Sequence, residues 1–220
     1  MARRSNGLTG QPPRERGEEV YAAALRLFTE KGYHATSMQD IAAAVGLYKG
    51  SLYHYIGSKE ELLVRVFERA MGGLLSEVER IATDAALPPS DQLRRVIRAH
   101  VEAVASNLDA LTVYLHDFRG LTGAALETVR AQREQYRALL ESVIARGVSE
   151  GEFVATDVRI ATLGVLGMCN WLAQWYRPAG RLGPHQIADR FADMVLAGLY
   201  LEGKTSSPSV SPKDRISALE

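Results

Sequence analysis

Apolar residues recur along this chain at the spacing of an amphipathic α-helix, and this pattern limits the fold more than any other feature. In the first segment Val20, Ala24 and Leu27 fall on one helical face, and similar sets recur as far as Leu199. No stretch sustains the alternation of apolar and polar residues that a half-buried strand needs. The sequence of 220 residues therefore predicts an all-α fold.

Interruptions in the helical pattern predict how the chain is divided. A long helix that starts after Ser58, which has the residue type of an N-cap, is expected to connect two halves of the molecule. We expect four segments, namely a flexible arm, a first domain, a second domain and a disordered tail rich in Ser, Pro and Lys. Their predicted bounds are 1–13, 14–74, 75–203 and 204–220.

Composition narrows the class of protein. Basic and acidic residues number 26 each, so the net charge gives no general argument for a nucleic-acid partner. The single cysteine, Cys169, excludes an intrachain disulfide and fits a reducing compartment. The polar N-terminus lacks a signal-peptide pattern, and the longest apolar run is shorter than the ~20 residues that span a membrane. We therefore expect a cytoplasmic protein with no membrane partner.

Residues 37–59 have the pattern of a helix-turn-helix motif, which we place at about 37–56. Ser37 is a good N-cap for a short helix, and Gly46 can adopt the positive backbone angle that the turn requires. A second short helix follows at about Lys49 to Tyr55, and in such motifs it enters the DNA major groove. Charge adds little to this interpretation, since residues 1–60 hold eight basic and six acidic side chains.

The same stretch resembles the DNA-binding signature of the TetR family over about residues 14–74. The resemblance implies a three-helix helix-turn-helix DNA-binding domain, followed by a helical effector-binding and dimerisation domain. It also implies a ligand-responsive repressor that binds palindromic double-stranded DNA as a homodimer. The matching segments are Thr36-Ser37-Met38-Gln39-Asp40-Ile41-Ala42, Val45-Gly46-Leu47-Tyr48-Lys49-Gly50-Ser51-Leu52-Tyr53-His54-Tyr55 and Ser58-Lys59-Glu60-Glu61-Leu62.

Two positions depart from the family pattern. Tyr48 stands where a small hydroxyl residue commonly caps the recognition helix, and Ile56 replaces a common Phe. The departure at Tyr48 means that no base-contact scheme can be carried over from the family unchanged.

Position within the motif assigns the predicted DNA contacts. Side chains of the second helix are expected to read base edges, chiefly Lys49, Ser51 and His54. The hydroxyl and free N–H groups at Ser37, together with Tyr53 and Lys59, are expected to contact phosphates. The alternative for the tyrosines is a packing role. The complete predicted DNA-binding set is Ser37, Gln39, Tyr48, Lys49, Gly50, Ser51, Tyr53, His54 and Lys59.

Two apolar helices near the C-terminus predict a dimer interface. The segment 157–176 is apolar on nearly all faces, and the helix from Pro184 carries a second apolar stripe. Two such helices from each subunit would form a four-helix interface, whereas the alternative is two core helices of a monomer. The predicted interface residues are Ala161, Gly164, Met168, Phe191, Met194, Val195 and Leu199.

Polar and aromatic residues on apolar faces predict an effector cavity in the second domain. The segment from Asn170 to Pro178 also resembles TetR-like repressors of fatty-acid and sterol breakdown, which implies a small apolar effector of the acyl-CoA class. The alternatives are a structural role for each residue and a regulator with no effector. The predicted effector-binding residues are His100, Tyr114, Phe118, Arg119, Arg133, Trp171, Trp175 and Arg177.

Catalysis is the competing class of function. His100, His116 and Asp117 are residue types of an acid–base or metal site, but His116 and Asp117 are adjacent and would diverge on a helix. The sequence contains no HExxH, CxxC, nucleophile elbow or phosphate-binding loop. We therefore expect no enzymatic activity, no metal and no cofactor.

Overall fold

The computed structural model describes residues 13–117, 120–154 and 156–200, and within these ranges the all-α prediction is confirmed. The predicted tail, all of the predicted arm but Pro13, and the predicted effector residues Phe118 and Arg119 lie outside the described residues. The described helices are α1 (Pro13–Lys31), α2 (Met38–Ala44), α3 (Lys49–Leu52), α4 (Lys59–Ala82), α5 (Pro89–Ser106), α6 (Leu108–Asp117), α7 (Gly123–Ser149), α8 (Val158–Trp175) and α9 (Pro184–Leu199).

Helices α1 to α3 form a head in which α2 and α3 are the helix-turn-helix motif. Gly46 between them has a φ of 67°, as the predicted turn requires. Helix α3 ends at Leu52, three residues before the predicted end at Tyr55. The N–H groups of Tyr55 and Ile56 both donate to the Leu52 carbonyl, at 3.0 and 3.2 Å, which turns the chain and buries Ile56 in the head.

Helix α4 contributes to the cores of both halves of the molecule. It starts after Ser58, whose hydroxyl accepts a hydrogen bond from the Glu61 N–H at 3.0 Å. The apolar face includes Leu62 and Val66 near the head and Val78 further along, all fully buried. A single helix of 24 residues is therefore held by packing at both of its ends.

The second half is built around α5, which packs against α4, α7, α8 and α9. Two ion pairs fasten α9 to α5, between Arg94 and Asp193 at 2.7 Å and between Arg98 and Asp189 at 2.6 Å. Helix α9 ends at Leu199, just before an isolated β-bridge that involves Tyr200. Among the described residues, no helix combines the length and hydropathy needed to cross a membrane.

Gln92 joins the end of α4 to α5. Its side-chain amide donates to the carbonyls of Ile81, Ala82 and Asp84, at 2.8, 3.1 and 2.9 Å, and the side chain is fully buried. The last carbonyls of a helix have no partner within the helix, so an amide from a neighbouring helix can supply one. Gln92 therefore terminates α4 and sets its position against α5.

Replacing Gln92 by Leu should lower the free energy of unfolding by about 1–3 kcal/mol, because the buried Ile81 carbonyl and the partly buried carbonyls of Ala82 and Asp84 lose a donor. Urea denaturation followed by circular dichroism would measure the change. Gln135→Leu, at an exposed position of α7, is the matched control and should have little effect. A Gln92→Leu variant as stable as the wild type would contradict the assigned role.

Candidate nucleic-acid interface and effector domain

The recognition helix α3 is anchored by one apolar residue and presents polar side chains outward. Leu52 is fully buried, whereas Lys49, Gly50 and His54 are exposed and Ser51 is half-buried. The side chains of Lys49, Ser51 and His54 can form hydrogen bonds of the kind that read base edges in a major groove. The structure therefore places the predicted base-reading residues on one outward-facing helix and its following turn.

Tyr48 and Tyr53 are the two exposed large aromatic side chains of the described head. Tyr48 is 87% exposed and occupies the N-cap position of α3, where its side chain makes no capping hydrogen bond. The departure from a small capping residue therefore leaves the first N–H groups of α3 without a side-chain acceptor. Exposed phenol groups beside these N–H groups can donate to phosphate oxygens.

Ser37 has a different role from the one expected for its hydroxyl. The Ser37 Oγ donates to the Asp40 carboxylate at 2.6 Å and accepts from the Asp40 N–H at 3.1 Å, while the Ser37 N–H also donates to that carboxylate. These hydrogen bonds hold the pKa of Asp40 below its ordinary value. Because the capping box engages the hydroxyl, only the N–H groups of Met38 and Gln39 remain to meet a phosphate.

Lys59, which the sequence predicts as a phosphate contact, also makes contacts within the protein. Its Nζ donates to the carbonyls of Tyr33 and Thr36, both at 2.9 Å, and lies 4.1 Å from the centre of the Tyr33 ring. Burial lowers the pKa of Lys59, and the charge of Asp117 opposes this shift. Lys59 therefore stabilises the turn between α1 and α2, which positions the start of α2.

Other residues that stabilise the helix-turn-helix motif could not be identified from the spacing of residue types in the sequence. The Arg16 guanidinium donates to the Val45 carbonyl at 2.9 Å, which ties α1 to the end of α2. The single O–H of Thr36 is shared between the Gly32 carbonyl at 2.9 Å and the Leu27 carbonyl at 3.2 Å. The Arg16 contact joins residues 29 positions apart, and the Thr36 hydroxyl reaches back across the turn that follows α1, so helical periodicity gives no signal for either.

In the second domain, the structure brings two predicted effector residues together. Tyr114 of α6 is buried, and the Arg133 guanidinium of α7 lies 5.3 Å from the centre of its ring. Burial raises the pKa of Tyr114 to about 12, although Arg133 opposes the shift. The Tyr114 ring also meets Phe67 of α4 edge-on, with 5.1 Å between centroids. Tyr114 therefore contacts the helix that runs into the head.

His100 belongs to a closed hydrogen-bonding group in the core. One ring nitrogen lies 2.8 Å from the Tyr136 hydroxyl and the other lies 3.1 Å from the Asn170 side-chain oxygen. Burial lowers the pKa of His100 to about 4 and raises that of Cys169, the neighbour of Asn170, to about 12. Both ring nitrogens thus have protein partners, which matches the structural alternative to the predicted effector contact.

Three further predicted effector residues do not face the interior. Trp171 is 65% exposed, Trp175 is also exposed, and Arg177 is exposed with its guanidinium donating to the Tyr176 carbonyl at 2.8 Å. The helical register explains this exposure. Trp171 and Trp175 follow the predicted interface residue Gly164 by two and three turns, so they lie on the same side of the helix as Gly164. The two tryptophans therefore belong to an outer face of α8.

The outer faces of α8 and α9 are unusually apolar. Within the described ranges, five of the seven exposed large apolar side chains lie here, whereas the remaining two are Tyr48 and Tyr53. Gly164 shares this surface, and Met194 is 66% exposed. We call this surface the α8–α9 apolar face; its large members are Ile160, Leu163, Trp171, Trp175 and Met194.

The predicted interface residues differ in their exposure to solvent. Gly164 and Met194 are exposed, and four others are half-buried, namely Ala161, Met168, Phe191 and Val195. Leu199 is only 7% exposed and belongs to the core, so its assignment to an interface is corrected. The stripe predicted for α9 was too wide because the periodicity did not separate residues that face α5 from those that face outward.

A helix-turn-helix head on a helical body is the architecture of a DNA-binding regulator. Comparison with known families agrees with this class. The family described as "Bacterial regulatory proteins, tetR family" matches residues 20–66, and the family described as "Tetracyclin repressor-like, C-terminal domain" matches residues 86–199. The chain belongs to the TetR family of bacterial transcriptional regulators.

Individual relatives are similar to this protein over most of its length. The repressor KstR2 of Mycobacterium tuberculosis (strain H37Rv) is 28% identical, and the match covers 89% of this chain and 98% of KstR2. The crystal structure of PfmR from Thermus thermophilus is 36% identical, with a TM-score of 0.74 and coverage of 83% and 99%. The structure of AibR with isovaleryl coenzyme A and operator DNA is 30% identical, with a TM-score of 0.73 and coverage of 84% and 100%.

The buried His100 predicts a pH dependence of stability. Its pKa falls from 6.5 to about 4 on folding, so the unfolded chain binds this proton more tightly. The contribution of His100 is therefore fully present above pH 6.5 and is lost as the pH falls toward 4, by about 3 kcal/mol in all. Urea denaturation from pH 7 to pH 4.5 should show a shallower loss for His100→Gln than for the wild type.

The exposed His54, changed to Gln, is the matched control for this experiment. It should reproduce the wild-type pH profile, because the carboxylates that also titrate in this range are common to all three proteins. Parallel profiles for the wild type and His100→Gln would rule out the proposed cost of protonating His100.

Proposed function

We propose that this protein is a homodimeric repressor that reads palindromic DNA with α3 and is released from DNA by an acyl-CoA thioester. The observation that carries the proposal is the pairing of two exposed surfaces, the polar recognition helix and the α8–α9 apolar face. The first provides hydrogen-bond donors for base edges and phosphates. The second exposes a cluster of large apolar side chains, which monomeric proteins rarely leave in contact with water.

A second copy of the chain is the proposed occupant of the α8–α9 apolar face. Contact between two such faces around a twofold axis would bury both clusters, and Gly164 and Gly167 would let the helices approach closely. Two ion pairs to Asp189 and Asp193 and close packing against α5 hold α9 in place within the protomer. A twofold dimer presents two copies of α3, which explains why a palindrome is the expected site.

The double variant Leu163→Glu and Met194→Glu should be monomeric, because it places four charges in the proposed interface. Both residues are exposed in the protomer, so the substitutions should leave the fold intact. Sedimentation velocity at micromolar concentration would measure the mass. Ala131→Glu with Ala138→Glu, two exposed positions on α7, is the control and should remain dimeric. A monomeric wild type would refute the proposed interface.

Selection of genomic fragments by the purified protein should enrich a palindrome whose half-sites lie ~34–36 Å apart or somewhat more. On that site, Lys49→Ala and His54→Ala should each relax the preference at particular base pairs, by ~1–3 kcal/mol. The control Lys31→Ala removes an exposed lysine outside α3 and should leave the preference unchanged. Failure to enrich any palindrome would exclude a sequence-specific dimeric repressor.

Two observations support an acyl-CoA effector. AibR, similar over 84% of this chain, was crystallised with isovaleryl coenzyme A and operator DNA. In this chain Arg133 supplies a cation beside the buried Tyr114, and Tyr114 contacts Phe67 of α4. A ligand that displaces Tyr114 would therefore change the packing of α4 directly and move the head to which α4 leads.

Acyl-CoA thioesters should lower the affinity for the selected DNA by roughly 5- to 150-fold, the usual range of coupling between two sites. Fluorescence anisotropy would follow labelled DNA during titration with isovaleryl-CoA and with thioesters of longer acyl chains. Free CoA and the free acids are the controls. Arg133→Gln should weaken the response without changing DNA affinity in the absence of thioester.

Two outcomes would distinguish the acyl-CoA proposal from the alternative of a regulator without an effector. If no thioester changes the affinity by more than about twofold, the acyl-CoA proposal is wrong and the DNA-binding function stands. If DNA binding is also indifferent to every apolar metabolite tested, the protein is a regulator without an effector.

A further inference from the structure

Tyr48 is the most exposed of the large apolar side chains in the described part of the chain, at 87%. Tyr53 is exposed to 47%, and the remaining large exposed side chains belong to the α8–α9 apolar face, which the proposed dimer covers. The Tyr48 ring therefore adds little to the packing of the head. A single exposed ring is ordinary at a protein surface, so its place on the head decides its meaning.

The backbone of Tyr48 begins the recognition helix. Its carbonyl accepts hydrogen bonds from the N–H groups of Ser51 and Leu52, at 2.9 and 3.1 Å. Leu52 is fully buried, so these hydrogen bonds tie the start of α3 to the core of the head. The Tyr48 side chain, in contrast, makes no capping hydrogen bond. Tyr48 thus combines a fixed backbone with a side chain that does not cap the helix.

The position of Tyr48 is the end of α3 at which base contacts are expected. In helix-turn-helix proteins the N-terminal residues of the recognition helix contact base edges. The predicted polar readers Lys49 and Ser51 follow Tyr48 by one and three positions. Tyr53 lies at the opposite end, at the C-cap of α3. Of these two exposed tyrosines, Tyr48 is therefore the one placed to reach base edges.

The chemistry of the ring indicates which base it would select. The C5 methyl group of thymine is an apolar group in the major groove, and apolar side chains contact it. Contact with a ring removes apolar surface of both partners from water, which is favourable. The small hydroxyl residue that is common at this position in the family presents much less apolar surface than the Tyr48 ring.

We propose that Tyr48 is a specificity-determining residue that selects thymine at one position of each DNA half-site, through contact of its ring with the C5 methyl group. This rests on the proposed function, because it requires a palindromic site and two copies of α3. Lys49 and Ser51 supply hydrogen bonds to base edges, and Tyr48 adds an aromatic contact that neither of them offers. A phosphate contact through the Tyr48 hydroxyl is the alternative.

Replacement of thymine by deoxyuridine separates the two contacts, because uracil pairs with adenine but lacks the methyl group. Each symmetry-related pair of thymines in the selected palindrome would be replaced in turn, and fluorescence anisotropy would measure the affinity of the full-length protein. At one pair, the wild type should lose about fourfold in affinity for each methyl group removed, or about fifteenfold in all. A contact with phosphate does not distinguish thymine from uracil.

Three variants assign this discrimination to the Tyr48 ring. Tyr48→Ser should bind thymine and uracil sites equally at that pair, and its fold should persist because the ring is exposed and Ser is a favoured N-cap. Tyr48→Phe keeps the ring without the hydroxyl and should keep the discrimination. Tyr53→Ser is the matched control, since it removes the other exposed tyrosine and should also keep the discrimination.

Two results would overturn the role of Tyr48. One is a wild type whose affinity changes by less than twofold at every pair of thymines. The other is a Tyr48→Ser variant that discriminates between thymine and uracil as the wild type does. If, in addition, Tyr48→Phe binds every DNA more weakly by the same factor, the Tyr48 hydroxyl contacts a phosphate instead.

Failure of the proposed function gives a different result. A wild type that selects no palindrome has no defined base for Tyr48 to read, so both proposals would then be wrong. A wild type that selects a palindrome but does not distinguish thymine from uracil leaves the repressor function intact and removes only the role of Tyr48.

Discussion

The burial of one apolar stripe in two cores is the constraint on which the rest of the structure depends. The stripe on α4 runs from Leu62 to Ile81, and α4 packs against α1 of the head and against α5, α6 and α7 of the second half. Neither half can be completed without this helix. A helix shared in this way transmits packing changes along its length, and the contact of Phe67 with Tyr114 places such a change beside the proposed effector site.

Polar side chains fix the geometry that apolar packing leaves open. Apolar contact is not directional, so it holds α1, α2 and α4 together without specifying the turn between them. Lys59 specifies that turn through two carbonyls, and Gln92 specifies the end of α4 through three. His100 does the same for three helices in the second domain. Each group is buried or half-buried, where an unsatisfied polar atom is costly.

The head and the second half of the molecule expose surfaces of opposite polarity. The head presents hydrogen-bonding groups from α3 and two exposed tyrosines, whereas the second half presents the α8–α9 apolar face. A dimer that reads two DNA half-sites needs both surfaces, one to contact the bases and one to contact the partner subunit. A single recognition helix reads too few base pairs for high specificity. Membership of the TetR family and the proposed twofold dimer are therefore consistent with the same set of exposed residues.

The sequence alone determined the features that depend on neighbours along the chain. The all-α class, the helix-turn-helix motif and the turn at Gly46 follow from helical spacing, N-cap residues and glycine, which act within a few residues. Only the tertiary structure decided which groups become partners. Lys59 bonds to carbonyls 23 and 26 residues away, and His100 bonds to Tyr136 and Asn170, 36 and 70 residues away. Helix α8 is apolar on nearly all faces, so its periodicity could not show that Trp171 points outward. That orientation depends on which neighbouring helices cover the other faces, and no local pattern contains this information.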